Sequence, residues 1–454
     1  MKKRIITIII FICFMFCCLI GVNKLLLPSI PIQQFYNQKE NTIDVLCIGT
    51  IATYVNINPA IMWENGIASF NLCESSQMPW NTYYYLEEAL KTQTPKLVIY
   101  DVYTMVSEEE YQALDIATQN TAGIRGLSTR YSAVKASVQD GYILSAFLGF
   151  PVYHKNYTSI IENYRKYWCL DKNGAITKGY APTWYWSGYT GEISVSDGYA
   201  EIPSKNMEYL EKIYELVKSK GAELLLIKCP YLGNEYFDQV YNSVELYAQQ
   251  NDIKFLNYNK FYEEIAFNYS YDIADACHLN DIGSAKVTEF LSDYILANYN
   301  IPDRRGDEKY SSWDEYLQVY NQTKFLCSEI ISEKVIFEER NRQIVEKENP
   351  FGVVNMYSVD LKADTYYKIL VTISTDEDIY LTVDLYGNNY DSYKQDMYFF
   401  VEKGDSQVIW TILNTETLPE DEVYLRLLGK YTNDVIIESV VVSELETKEK
   451  AYSR

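Results

Sequence analysis

Between Asn41 and Asn300 the chain alternates short, nearly continuous apolar runs with segments of helical period. Ile43 to Ile48, Ile67 to Leu72, Lys96 to Asp101, Glu223 to Lys228 and Ile253 to Asn257 are too short for buried helices, and they lack the polar alternation of a half-wet strand. Strands of this kind are buried on both faces, which requires a parallel sheet covered by crossover helices. The intervening segments can supply them. Gln77 to Leu90 carries Pro79 in its first turn, and Ser204 offers an N-cap ahead of a stripe of Met207, Leu210, Ile213 and Val217 that ends at Gly221. Tyr236 to Gln250 and Gly283 to Asn298 follow the later strands. A helical and aromatic region from Ser107 to Cys169, opened by Glu108, Glu109 and Glu110 at a helix start, and the aromatic stretch Trp184 to Tyr189 read as insertions. The predicted fold class for residues 42–300 is therefore α/β, a three-layer flavodoxin-like domain with a parallel sheet.

After Pro302 the period changes. Residues 301–330 read as a linker with a helix at Ser312 to Tyr320, and residues 331–446 alternate with period two. Tyr366 to Ser374, Ile379 to Tyr386, Met397 to Glu402, Gln407 to Leu413, Val423 to Leu428 and Val435 to Ser443 are punctuated by polar turns, which predicts an all-β, jelly-roll-like sandwich. Residues 447–454 are a tail.

Ahead of the sheet, Lys2, Lys3 and Arg4 precede the apolar run Ile5 to Val22. That pattern predicts a signal anchor over residues 1–24 with a stalk over 25–41 and everything after it outside the cell; a cleaved signal peptide with secretion is the alternative. The formal charge of −22 excludes a nucleic-acid surface. Beyond Cys13, Cys17 and Cys18 in the apolar run, the six remaining cysteines stand singly, with no CxxC and no zinc spacing, so no metal or cofactor is expected.

Chemistry is confined to few places because the chain has only two histidines, His154 and His278. Asp275 and His278 stand three apart before a helix, close enough for the carboxylate to orient an imidazole as a general base. The same residues, with Asn280, also suit a plain turn and helix cap. Trp184, Trp186 and Tyr189 offer flat faces on which sugar rings can stack, although such residues also build ordinary cores.

Three blocks together resemble the SGNH/GDSL hydrolases, and more closely the membrane-anchored SGNH-like proteins of Gram-positive bacteria, related at family level to proteins that move acyl groups on cell-envelope polymers. In that group the first strand runs into Gly-Ser-Ser-His, a second block reads close to Asn-Leu-Gly-Gly-Ser-Gly-Gln, and the domain ends with Asp-x-x-His-Leu-Asn. Here Ile43 to Leu46 enters the first block, Asn71, Leu72 and Gln77 frame the second, and Asp275, His278, Leu279 and Asn280 complete the third. Tyr153 and His154 match a Tyr-His pair of the group.

The departures fall on the chemistry that the resemblance implies. Gly49-Thr50-Ile51-Ala52 stands in the first block, so the nucleophile position is Ile51, and a hydrocarbon cannot attack a carbonyl. In the oxyanion region around Gly49, the second-block glycines are replaced by Cys73, Glu74 and Ser76, and a Glu74 carboxylate would oppose a developing oxyanion. Thr50 is the nearest substitute hydroxyl, with Thr53, Ser75 and Ser76 as others. The leading expectation is a catalytically impaired surface protein that binds envelope glycan, or scaffolds its modifying machinery. An active carbohydrate O-acyl esterase or acyltransferase using His278 and Asp275, and an adhesion module led by the sandwich, are the alternatives.

Overall fold

The structure, a computed structural model, describes residues 31–154, 177–181, 196–230, 233–267, 272–275, 277–323, 328–345, 353–363, 365–377, 379–387, 392–401, 403–415, 423–430 and 434–449, with isolated positions such as Ile10, Phe14, Leu26 and Thr183. No helix among the described residues is long and apolar enough to cross a membrane, and most of the expected anchor lies outside them. Contacts divide the chain into two compact units. One holds Met1–Ala181, Ile193–Ile265 and Ala285–Thr323; the other holds Pro182–Glu192, Ala266–Ser284 and Lys324–Arg454.

In chain order, α1 (Pro31–Phe35) leads into β1 (Val45–Gly49), α2 (Ile51–Asn56), α3 (Pro59–Glu64), β2 (Ser69–Cys73), α4 (Pro79–Ala89) and β3 (Leu97–Asp101). A helical layer of α5 (Leu114–Ala122), α6 (Leu127–Ser137), α7 (Ile143–Leu148) and α8 (Phe150–Tyr153) follows. Then come α9 (Ser204–Ser219), β4 (Glu223–Lys228), α10 (Glu235–Gln250), β5 (Lys254–Asn257), α11 (Asp281–Asn298) and α12 (Ser311–Thr323).

The sheet of the first unit is parallel, in the order β2-β1-β3-β4-β5. This is the flavodoxin-like winding, and its strand order reverses between β1 and β3. Every residue of β1, β2 and β3 is buried, as strands covered on both faces must be. Leu210, Ile213 and Val217 of α9 and Val240, Val244 and Ala248 of α10 join Leu46, Phe70, Val98 and Leu226 in one core. Each fully enclosed aliphatic side chain contributes about 2 kcal/mol.

Two short helices, α2 and α3, connect β1 to β2, and two local readings change. The Glu108 to Glu110 run opens no helix; it lies in irregular chain ahead of α5. Ser204 is the first helical residue of α9 rather than its cap, a position taken by Pro203.

In the second unit, β6 (Ser328–Glu339), β7 (Gln343–Val345), β8 (Val353–Ser358), β9 (Tyr366–Thr375), β10 (Ile379–Gly387), β11 (Ser392–Val401), β12 (Gly404–Asn414), β13 (Val423–Lys430) and β14 (Val435–Glu449) form antiparallel sheets. Their orders are β11-β10-β13-β8 and β12-β9-β14-β6, with β7 on β14. Burial alternates strictly along β9, and its inward Tyr367, Ile369, Val371 and Ile373 meet Leu381, Leu425, Leu427 and Val440 in a sandwich core.

Candidate functional site

Ligands on a sheet of this winding gather at the carboxyl ends of the strands, beside the reversal between β1 and β3. Gly49 ends β1 there with φ +151, and a Cβ at this position would lie 2.2 Å from Thr53 Oγ1 and 3.1 Å from Asp101 Cβ. Only glycine fits this turn. Thr50 comes next, 1% exposed, its hydroxyl donating to the Glu74 carbonyl at 3.3 Å and accepting from the Gln77 N–H at 3.2 Å. The nearest hydroxyl to the nucleophile position is thus a tie between loops. Ile51 itself opens α2 and is partly buried.

The chain after β2 is stapled from several sides. Glu74 Oε1 accepts from the Ser75 N–H and from Gln119 Nε2, both at 3.0 Å, while Asn120 and Gln112 donate to the Ser75 and Ser76 carbonyls. Burial lifts the Glu74 carboxyl to about 7, against the pull of those two donors. Ser76 adopts φ +52, the left-handed region that favours glycine, at a position where the resembled block carries glycine. Asn71 donates from Nδ2 to the Ile57 carbonyl at 2.7 Å, and Gln77 Nε2 to Thr82 Oγ1 at 2.9 Å. Cys73 is enclosed, its thiol directed at the Cys47 carbonyl at 3.6 Å. These side chains hold the edge together.

Two residues at this edge went unread in the sequence. Asp101 ends β3, is buried, and accepts from the Tyr103 N–H at 3.2 Å; burial raises its carboxyl to about 6. Lys228 ends β4, lies 4.0 Å from the Asp238 carboxylate, and is drawn down to about 8 by burial in spite of Asp238 and Asp101. Their placement at strand ends was the available signal.

In the second unit, Asp275, Cys277 and His278 form a tight turn. Asp275 Oδ1 accepts the backbone N–H groups of Cys277 and His278, each at 2.9 Å, and Oδ2 faces His278 Nδ1 at 2.7 Å. One carboxylate therefore builds the turn and orients the ring. The bridge Ile273↔Leu279 closes the base, Asn280 Oδ1 accepts from the Gly283 N–H at 3.0 Å, and a Cβ on Gly283 would lie 2.0 Å from the Asp272 carbonyl oxygen. Burial works against charge on His278, yet the bonds with Asp275 and Cys277 outweigh it and hold the ring at about 10. Burial likewise opposes the Asp275 charge, and the His278 bond and the turn's donors overcome it, keeping the carboxyl below its usual range. The turn thus favours the protonated ring, as a carboxylate that orients an imidazole does. The turn's donor atoms, including the Cys277 sulfur 3.4 Å from Asp275 Oδ1, lie within 4.8 Å of one another, so these three residues are the described group that can hold a metal ion.

Trp184, Trp186 and Tyr189 lie outside the described residues. His154 is exposed, with Nδ1 3.0 Å from the Pro151 carbonyl oxygen.

No family model matches the chain, and no curated protein does. Among solved structures, a protein ascribed to the lipolytic G-D-S-L family from Desulfitobacterium hafniense DCB-2 is 13% identical, over 56% of this chain and 99% of that one, with a TM-score of 0.30. A protein ascribed acylhydrolase activity from Bacteroides fragilis NCTC 9343 is 14% identical over 58% and 93%, with a TM-score of 0.27. A family 35 carbohydrate binding module from Clostridium thermocellum is 10% identical over 24% and 97%, with a TM-score of 0.17.

Proposed function

We propose that the chain is an SGNH-like protein of the cell surface, held by its N-terminal apolar run, that binds envelope carbohydrate without hydrolysing it. The observation that carries this reading is the state of the first block: the nucleophile position is Ile51, and the adjacent Thr50 hydroxyl is enclosed and engaged on both sides. Removing a triad nucleophile lowers rate by several orders of magnitude. A ring held by a carboxylate 2.7 Å away is also suited, when protonated, to donate to sugar hydroxyls or acyl oxygens. The antiparallel sandwich adds an architecture shared by lectin-type modules.

The intact Asp275 and His278 pair favours one competing reading, acyl transfer by a substitute hydroxyl such as Thr50, Thr53, Ser75 or Ser76. Treating the purified full chain with p-nitrophenyl acetate and a serine-directed fluorophosphonate separates the two. No turnover and no label are expected. Labelling that disappears in His278→Ala would overturn the non-hydrolytic reading, and glycan-array binding that survives in wild type supports it. Ile51→Ser asks whether the remaining scaffold is competent.

A further inference from the structure

The helical layer α6 to α8 leaves a set of large apolar side chains in water. Leu127 is 71% exposed, Leu144 69% and Tyr142 52%, and Tyr131, Leu148 and Phe150 are exposed beside them. Spacing and one ring contact link several of them. Leu127 and Tyr131 stand one turn apart on α6, Leu144 and Leu148 one turn apart on α7, and Tyr131 meets Phe147 edge-on at 6.1 Å, joining the two helices. Gly149, with φ +73, turns the chain so that Phe150 and Pro151 continue from α7.

What covers this face follows from where the N-terminal run ends. Leu26 is buried against Tyr153, with Ala122 and Val152 packed around the pair. Leu26 lies four residues beyond Val22, so the end of the apolar run is within about 14 Å of α8 even if fully extended. A second fastening stands farther on, where the Arg125 guanidinium lies 3.9 Å over the Tyr36 ring and the Arg125 N–H donates to Tyr36 Oη at 3.0 Å. Tyr36 is thereby tied to the chain just ahead of Leu127. Charge points the same way: residues 125–150 carry Arg125, Arg130 and Lys135 against Asp140 alone, a local excess of 3 − 1 = +2 in a chain of −22.

We infer that the face of Leu127, Tyr131, Tyr142, Leu144, Leu148 and Phe150 lies in the interfacial layer of the bilayer that holds the N-terminal run, as a monotopic patch beside an anchor. Leucines and aromatics then enter the headgroup boundary while Arg125 and Lys135 meet phosphates. This rests on the anchor reading above, and not on the carbohydrate or pseudoenzyme readings. The patch would limit how far the attached unit swings from the membrane.

The test uses the full chain in phosphatidylcholine proteoliposomes with and without brominated acyl chains, comparing Leu144→Trp and Leu148→Trp with Leu246→Trp on α10, a side chain exposed elsewhere in the same unit. Each emission is read as the difference from wild type. The first two are expected to shift to the blue and lose about half of their emission to the bromolipid, as the shallow depth of an interfacial helix implies, while the third is unaffected. Equal, unquenched emission at all three overturns the inference. Shielding without quenching overturns it as well, assigning the face to a second copy. Alkaline carbonate extraction of the same vesicles reads the anchor separately: a chain that resists extraction while both tryptophans stay unquenched has an anchor and no patch, and a chain that is extracted and unquenched has neither.

Discussion

The sheet edge around Gly49 and the turn around His278 use their polar side chains in different ways. At the edge, three polar side chains tie the backbone: the Thr50 hydroxyl bridges loops, Glu74 holds Ser75 and Gln119, and Asp101 caps the Tyr103 N–H. At the turn, the carboxylate still orients a ring, with Nδ1 and Oδ2 2.7 Å apart. At the edge the polar side chains tie neighbouring loops, whereas at the turn a single carboxylate both aims the ring and accepts the backbone N–H groups that build the loop.

That comparison can be broken most sharply at Gly49. Gly49→Ala places a Cβ against Thr53 and Asp101 in a backbone region closed to other residues, and should destabilise by about 3 kcal/mol in urea unfolding. A near-neutral result would mean that the edge is loose rather than consolidated.

Glu74→Gln comes next. The folded carboxyl lies near 7 against an ordinary 4.5, so the folded state keeps a proton that the unfolded chain releases, and stability falls as pH climbs from 4.5 through 7. The amide should restore about 2 kcal/mol at pH 8 and nothing at pH 4, read from paired denaturation curves.

The turn should give a smaller, oppositely shaped effect. His278 is raised, so its contribution is complete below 6.5 and fades as pH rises through about 10. Asp275 is depressed, so its contribution is complete above 3.8 and fades as pH falls through its folded value. The pair is therefore strongest between pH 3.8 and 6.5. His278→Ala should cost about 1 kcal/mol there, after discounting for solvent around a carboxylate that is 35% exposed. With only two histidines in the chain, imidazole NMR can follow His278 directly. A midpoint below 7 would mean that the turn does not favour the protonated ring.

Ser76→Gly is the mildest. Relieving φ +52 should stabilise by about 0.5 kcal/mol, partly offset by the freer unfolded chain.

The strands were legible because burial on both faces leaves little room for polar residues, and each observed strand of the parallel sheet begins within two residues of its expected start. The helix α2 was not. Ile51-Ala52-Thr53-Tyr54-Val55-Asn56 is rich in β-branched residues that prefer strands, and it is helical because tertiary contacts bury Ala52, Thr53, Val55 and Asn56. The turn could be read because Asp275 and His278 are neighbours in sequence and their spacing sets their geometry. Asp101 and Lys228 come from different strands, so only the winding of the sheet brings them to one edge. The positive φ of Ser76 was hidden by a residue that rarely adopts it, although the resembled glycine marked the place.

Cys47, Cys73 and Cys229 are free thiols enclosed at the sheet, with burial the main reason their pKa values rise above the ordinary thiol range. Since the thiolate is what reacts with oxidants and disulfides, these sulfurs are inert once the sheet has closed and vulnerable before it. A parallel sheet pairs strands distant in sequence and closes slowly. Any oxidant met before strand pairing would therefore act on these sulfurs while they are still open, so refolding yield should depend on whether the sheet closes before they react.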